Sequence, residues 1–383
     1  MTTLSTQSVL SDSSLVVVKI GSVLVLGKDQ ENINQSWMDA LAHDVYTLMQ
    51  NGKKVVIVSS GSVALGRKAL GIPIDMPPKN IPLAQKQAAS SVGQYHVFNG
   101  YFQALAKYNI DAAQVLLTMS ETENRRMNLN ARETLHTLLD AGIVPVINEN
   151  DTVSTGEIRF GDNDRLSVRV AQMIFSDTVV LLSTADGLYT DNPDKNPDAV
   201  HFPIIEKITD EHVTMAGDAI PGLSTGGMKS KIEAALSATK AGIHLVITDG
   251  REDNALAHIY NNPSKRSSLF IAQECDNNAR KIWLGAHMSP KGRVTVDDGA
   301  LAALNNGKSL LPIGVSFVEG KFDRGDVVEI LNSVGHKIGM GVSAYNVHDA
   351  LKIIGRNSKD IHEILGYIGR NELIHRNDMV IEG

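Results

Sequence analysis

Between Val144 and Ser167 the chain reads VPVINENDTVSTGEIRFGDNDRLS. Carboxylates and carboxamides crowd two clusters there, Asn148, Glu149, Asn150 and Asp151, then Asp162, Asn163 and Asp164. A short apolar run, Ile143 to Ile147, empties into the first of them. In an open α/β sheet the carboxyl ends of the strands face the ligand crevice, so this junction reads as a binding site. A solvated acidic turn is the plain alternative, and Gly156 and Gly161 suit one.

Three other junctions are chemically loaded. In Val16-Val17-Val18-Lys19-Ile20-Gly21-Ser22 a lysine near the end of an apolar run has a glycine two residues on, which lets a backbone approach an anion such as phosphate. A lysine snorkelling from an edge strand would look the same. Val58-Ser59-Ser60-Gly61-Ser62-Val63-Ala64-Leu65-Gly66-Arg67 approaches the GxxxxGK[ST] phosphate loop, but Arg67 and Lys68 stand where lysine and a hydroxyl residue are required, so that match fails. What remains is a Gly/Ser turn opening a helix, whose free amides suit carboxylate or phosphate, or an ordinary helix start. The last junction, Gly222-Leu223-Ser224-Thr225-Gly226-Gly227-Met228-Lys229-Ser230-Lys231, opens an apolar-periodic helix with two cations in its first turn. Cations there oppose the helix macrodipole by about a few tenths of a kcal/mol each, and a docked anion reverses the sign. A phosphate site without a Walker motif follows. A weaker signal, Leu181 to Pro193, ends an apolar run in Ser183 and Thr184 and offers a wall for a nucleotide base or ribose.

These junctions need elements to hold them. Leu15 to Ile20, Val55 to Val58, Ala113 to Leu117, Ile143 to Ile147, Val179 to Leu182 and Leu245 to Ile247 are short apolar runs. Helix-like segments alternate with them: Trp37 to Gln50, Ala84 to Tyr108, Glu121 to Ala141, Arg165 to Phe175 and Gly227 to Ala241. The alternation predicts an α/β fold, a mostly parallel sheet sandwiched by helices. Past Leu269 the composition shifts. The polar stretch from Gln273 to Lys281 precedes short β-like runs at Arg293 to Val296, Gly314 to Val318, Val327 to Ile330 and Lys337 to Val342, which predict a small C-terminal β-barrel. The expected layout is a flexible tail over 1–14, an α/β domain over 15–272, a linker over 273–290 and the barrel over 291–375.

With 383 residues, 43% hydrophobic and 21% charged, the chain has ordinary globular composition and room for two or three domains. A formal charge of −7 argues against a generally basic nucleic-acid binder. One cysteine, Cys275, excludes an intrachain disulfide and fits a reducing compartment. The first fourteen residues carry no signal-peptide pattern, and no apolar run approaches the roughly 18 residues that span a bilayer, so a cytoplasmic setting is expected. The histidines form no HExxH or similar set, and no protein metal site is expected from them.

In their order and spacing, Lys19-Ile20-Gly21, Ser60-Gly61, Asn148-Glu149-Asn150-Asp151, Gly161-Asp162-Asn163-Asp164 and Thr225-Gly226-Gly227-Met228 with Lys231 resemble the amino acid kinase family. The tail resembles a PUA domain through Gly292 to Ala300, Ser309 to Pro312, Arg324-Gly325-Asp326 and Gly341-Val342-Ser343. The resemblance implies transfer of a phosphoryl group from ATP to the γ-carboxylate of L-glutamate, the first step of proline synthesis. It implies that Ser60, Asp151 and Asn163 hold glutamate with Asn148 and Asp162 nearby. Lys19, Ser183, Thr184, Thr225, Gly226, Gly227, Met228, Lys229, Ser230 and Lys231 would hold ATP. Lys86, Gln87, Gly93 and Gln94 match a segment near the family's substrate and feedback site. Mg²⁺ on the ATP phosphates, proline as a feedback inhibitor and a homo-oligomer are implied as well. Gly21-Ser22-Val23 departs from the family pattern, which has a second hydroxyl where Val23 stands.

Physics agrees with the site assignment. A carboxylate is already a nucleophile, so the obstacle is its repulsion from the triphosphate, and positioned cations remove it. Lys19 and Lys231 are the expected pair, with Asp164 aligning them and Asp151 suited to the ammonium group of glutamate. Two rival readings stay open: another acceptor of the same family, such as N-acetylglutamate, and RNA binding through the PUA domain. From residue 291 on there are eleven Lys/Arg against twelve Asp/Glu, a net of −1, which gives phosphate-driven RNA affinity little support.

Overall fold

Val16, Val17 and Val18 are all fully buried, which requires a strand covered on both faces. The computed structural model describes residues 4–27, 31–154, 163–215, 227–262, 264–273 and 290–381. The chain divides into two compact units, Met1–Glu274 and Cys275–Gly383. Most of the expected linker, 274–289, lies outside the described residues.

The first unit contains strands β1 (Leu15–Ile20), β2 (Lys54–Val58), β3 (Ala112–Leu117), β4 (Val144–Glu149), β5 (Thr178–Ser183), β6 (Leu188–Tyr189), β7 (His201–Phe202), β8 (Ile204–Ile205), β9 (His244–Asp249) and β10 (Ser267–Phe270). Its helices are α1 (Thr6–Asp12), α2 (Ser22–Val25), α3 (Gln35–Gln50), α4 (Ser62–Gly66), α5 (Leu83–Ala106), α6 (Met119–Glu123), α7 (Arg125–Asp140), α8 (Asn163–Ile174), α9 (Asp210–Met215), α10 (Met228–Lys240) and α11 (Ala255–Asn261). The main sheet runs β3-β4-β2-β1-β5-β9-β10-β8. It is parallel except where β10 runs against β9. The chain leaves β1 for β2 on one side and later returns to β5 on the other, so the topological switch point lies at the carboxyl end of β1.

Strand periodicity sorts the β1 side chains into two cores. Val16, Val18 and Ile20 share a core with Trp37, Met38 and Leu41 of α3 and Val97 and Tyr101 of α5. Leu15 and Val17 share the other with Leu166 and Val170 of α8 and Ile232 and Ala235 of α10. Lys19 continues the second series, so the two-residue repeat alone aims it at the face that α8 and α10 cover.

Three expectations are corrected. Within the expected flexible tail over 1–14, the described residues from 4 on are ordered: Ser5 and Ser8 form a reciprocal capping box, and the helix they open buries Val9 and Leu10. Lys53 Nζ donates to Ser11 O at 2.7 Å and Ser13 O at 2.8 Å, and the Ser13 and Thr178 hydroxyls are 2.8 Å apart. The single helix expected over Glu121 to Ala141 is two, because Asn124 leaves helical geometry and caps the second by accepting from Met127 N. The strand that feeds the acidic cluster runs on to Glu149, so Asn148 and Glu149 are strand residues.

The second unit carries strands β11 (Gly292–Val296), β12 (Val315–Gly320), β13 (Val327–Leu331), β14 (Lys337–Val342) and β15 (Met379–Ile381). They form one mixed sheet in the order β12-β11-β13-β14-β15 around Val294, Val328, Ile330 and Leu373. The last strand lies beyond residue 375, where the barrel was expected to end. Helices Asp298–Asn305 and Val347–Ile353, not expected from the sequence, belong to the same unit.

Candidate active site

Lys19, from β1, and Lys231, from the first turn of α10, both reach Asp164 in the first turn of α8. Lys19 Nζ lies 2.7 Å from Asp164 Oδ1 and Lys231 Nζ lies 2.9 Å from Oδ2. All three are buried. Burial alone would raise the Asp164 pKa, but the charges and hydrogen bonds of both lysines outweigh it and hold the carboxyl well below the usual range. Its place at a helix N-terminus also favours the anion. Ser230 Oγ, 2.9 Å from the same Oδ2, completes the cluster.

Gly227, the residue before α10, is extended and has no side-chain cap, which leaves amides of that helix mouth for a ligand. Met228 is half-buried and Lys229 exposed. Ser183 closes β5 and Thr184 is exposed just beyond it. Gly21 follows β1, its N–H donating to Leu182 O at 3.1 Å. Val23, in place of the family's second hydroxyl, is 60% exposed. Thr225, Gly226 and Asp162 lie outside the described residues.

On the other side of β1 the amides and hydroxyls converge. Gly61 turns the chain out of β2 with φ +105°, a conformation that glycine adopts at little cost. Asn163 Nδ2 then faces Ser59 O at 2.7 Å, Ser60 Oγ at 2.8 Å and Asn148 Oδ1 at 3.0 Å. Asn148 Nδ2 reaches Gln94 Oε1 at 2.6 Å and Ser62 Oγ at 3.3 Å. Two backbone groups fix the amide orientations: Ser59 O requires the nitrogen of Asn163, and Glu149 N, donating at 2.9 Å, requires the oxygen of Asn148. Asn163 Oδ1 and Gln94 Nε2 are consequently left buried with no hydrogen-bond partner among the described residues. A buried orphan costs about 1–3 kcal/mol, so this acceptor and this donor mark where a polar ligand sits.

Asp151, on the turn after β4, is buried and accepts from Ser90 Oγ of α5. Burial, first, and the like charge of Glu149 push its pKa up to about 6, against the lowering hydrogen bonds of Ser90 and Ser62. Ser62 and Ser90, which no sequence signal marks as site residues, join the Asp151 cluster. Gln94, assigned only to a general neighbourhood, is a member of the network. Gln87 donates to Ser154 O at 3.1 Å, and Lys86 is half-buried on the same helix. Among the described residues no group of three or more His, Cys, Asp or Glu side chains is placed to hold a metal ion.

Residues 14–249 match the family model of the Amino acid kinase family and residues 292–365 that of the PUA domain. A curated protein named Glutamate 5-kinase from Ruegeria sp. (strain TM1040) is 47% identical over 372 residues, covering 97% of this chain and 99% of that one. Another of that name, from Gluconobacter oxydans (strain 621H), is 46% identical over 373 residues and 97% of each chain. A solved carbamate kinase from Giardia lamblia bound to AMP-PNP superposes with a TM-score of 0.47 at 16% identity, over 68% of this chain and 99% of that one, a likeness too loose to argue from.

Proposed function

Since the chain belongs to the amino acid kinase family, we propose that it transfers the terminal phosphoryl group of ATP to the side-chain carboxylate of L-glutamate, giving L-glutamyl 5-phosphate and ADP. A glutamate carboxylate oxygen attacks the γ-phosphorus, and the bond from that phosphorus to the β,γ-bridging oxygen breaks. No general base is required. Lys19 and Lys231 offset the charge shared between nucleophile and phosphoryl oxygens, and Asp164 keeps the two ammonium groups aligned. The observation that carries this reading is that one buried carboxylate holds both lysines, one on each oxygen.

Asp151 takes the ammonium group of glutamate, with Asn163 Oδ1 as a neutral acceptor; Ser60, Asn148 and Gln94 Nε2 take the α-carboxylate, and the family resemblance adds Asp162 to the glutamate-binding residues. The α10 mouth from Thr225 to Lys231 takes the phosphates, and Ser183 and Thr184 the nucleoside side. Mg²⁺ bound to the ATP phosphates would supply charge neutralisation there. Both Asp164 oxygens are already held by lysines, so this acid suits alignment better than metal binding. Proline as a feedback inhibitor, a homo-oligomeric assembly and a cytoplasmic setting belong to the same reading; no helix among the described residues is long and apolar enough to cross a membrane.

N-acetylglutamate is the nearest rival acceptor, but it would present a neutral amide to a buried acid. ATP-dependent hydroxamate formation with glutamate, N-acetylglutamate and aspartate tests the point. Turnover is expected with glutamate, and turnover confined to N-acetylglutamate would overturn the assignment.

A further inference from the structure

Helices α4 and α5 touch backbone to backbone through two glycines. A Cβ on Gly93 would lie 1.8 Å from Ser62 O, and one on Gly66 would lie 1.7 Å from Ala89 O. Only that approach brings the hydroxyls of Ser62 and Ser90 to 2.9 Å, both buried, with Ser90 also on Asp151 Oδ2. Ser90 has one hydroxyl proton. An ionised carboxylate accepts and cannot donate, so that proton goes to Asp151. Ser62 Oγ sits beside that of Ser90 and accepts from Asn148 Nδ2 at 3.3 Å, and its own hydroxyl also bonds to Asp151. Both hydroxyls therefore bridge the Asn148 amide to the Asp151 carboxylate, with Gln94 and Asn163 attached at the Asn148 end.

We propose that Ser62 and Ser90 are positioning residues for the amino acid acceptor: their hydroxyls fix the Asp151 carboxylate and tie it to the amide cluster, so that the substrate's ammonium and α-carboxylate groups are gripped by one unit. The inference rests on glutamate being the acceptor. Two hydroxyl donors on one carboxylate hold it in place and favour its ionised form. Glu149 is the charged neighbour that acts on Asp151, and the groups facing it from α4 and α5 are these neutral hydroxyls.

The test is steady-state kinetics of Ser90→Ala. Loss of a hydrogen bond to a charged group should raise the glutamate KM about tenfold, with kcat and the ATP KM within about twofold of the parent. The rise in glutamate KM on acidification should begin at higher pH, because a donor that favours the anion is gone. In an Asp151→Asn background Ser90→Ala should add less than about twofold. Ser91→Ala, exposed and one residue away, should change nothing. An unaltered glutamate KM in Ser90→Ala, or equal losses in kcat and the ATP KM, overturns the inference while leaving the assigned reaction standing. If the parent enzyme does not phosphorylate glutamate, both fall together.

Discussion

Lys231 meets Asp164 on the oxygen that Lys19 leaves free, at 2.9 Å against 2.7 Å for the Lys19 contact, and all three side chains are buried. Removing the acid therefore strands two cations. Asp164→Ala should cost about 3–5 kcal/mol of stability, the usual range when one member of a buried ion cluster is deleted. Lys19→Ala and Lys231→Ala each remove a cation aimed at the transferring group, and should lower kcat far more than they raise the glutamate KM. Denaturant unfolding and initial-rate kinetics read both effects. Near-normal turnover in the two lysine variants would end the mechanism.

Gly93→Ala should separate α4 from α5. Its new methyl would meet Ser62 O, a backbone atom with no rotamer to yield. Overpacking of this kind costs about 1–3 kcal/mol, and the upper end is expected here. The glutamate KM should rise because Ser62 and Ser90 part, while the ATP KM holds. Calorimetry and kinetics on one preparation suffice, and a variant with the parent Tm and glutamate KM would show that the helices have slack.

The contrast between these two sites explains what the sequence could disclose. Lys19 was legible because it stands near the end of an apolar run with Gly21 two residues on. The six apolar runs marked the parallel part of the sheet: strands such as β1, β4 and β5 are buried on both faces and have no polar alternation to blur them, whereas β3 at the sheet edge is partly exposed. Ser90 was not legible. It lies inside a long helix of weak apolar periodicity, and its importance arises only from a close helix crossing whose two glycines are 27 positions apart (Gly66 and Gly93). The antiparallel β10 is four residues, Ser267–Phe270, too short for a pattern. The N-terminal helix offers just Val9 and Leu10 as buried positions, and its docking is settled by a lysine forty residues away.

That lysine supports a further prediction. Lys53 Nζ holds Ser11 O and Ser13 O at the end of α1, where a cation also suits the helix dipole. Lys53→Met keeps much of the apolar stem but leaves those carbonyls without their donor. A loss of about 1–3 kcal/mol is expected in urea unfolding. Kinetic constants at low temperature should stay the same, since Lys53 belongs to no part of the site. An unchanged unfolding midpoint would mean that α1 docks without it.

Asp151 gives the site a pH dependence with a definite sign. Its carboxyl, which ordinarily titrates near 3.8, is pushed up to about 6 in the fold by burial. Between those values the folded protein keeps a proton that the unfolded chain has released, so the group's contribution to stability is lost as pH rises from about 4 to about 6. The loss amounts to about 3 kcal/mol above pH 6, on the order of 1.4 kcal/mol per pH unit. Asp151→Asn removes the buried charge, so without glutamate it should melt several degrees above the parent at pH 7.5, a gain that shrinks toward pH 4. The same substitution should abolish the rise in Tm that glutamate gives the parent, because the ammonium group loses its counter-charge. In the parent, the glutamate KM should climb as pH falls below about 6, where Asp151 takes up its proton. A glutamate KM that is flat from pH 5 to 8, or an Asp151→Asn protein less stable than the parent at pH 7.5, would show that this carboxylate neither carries the strain nor grips the substrate.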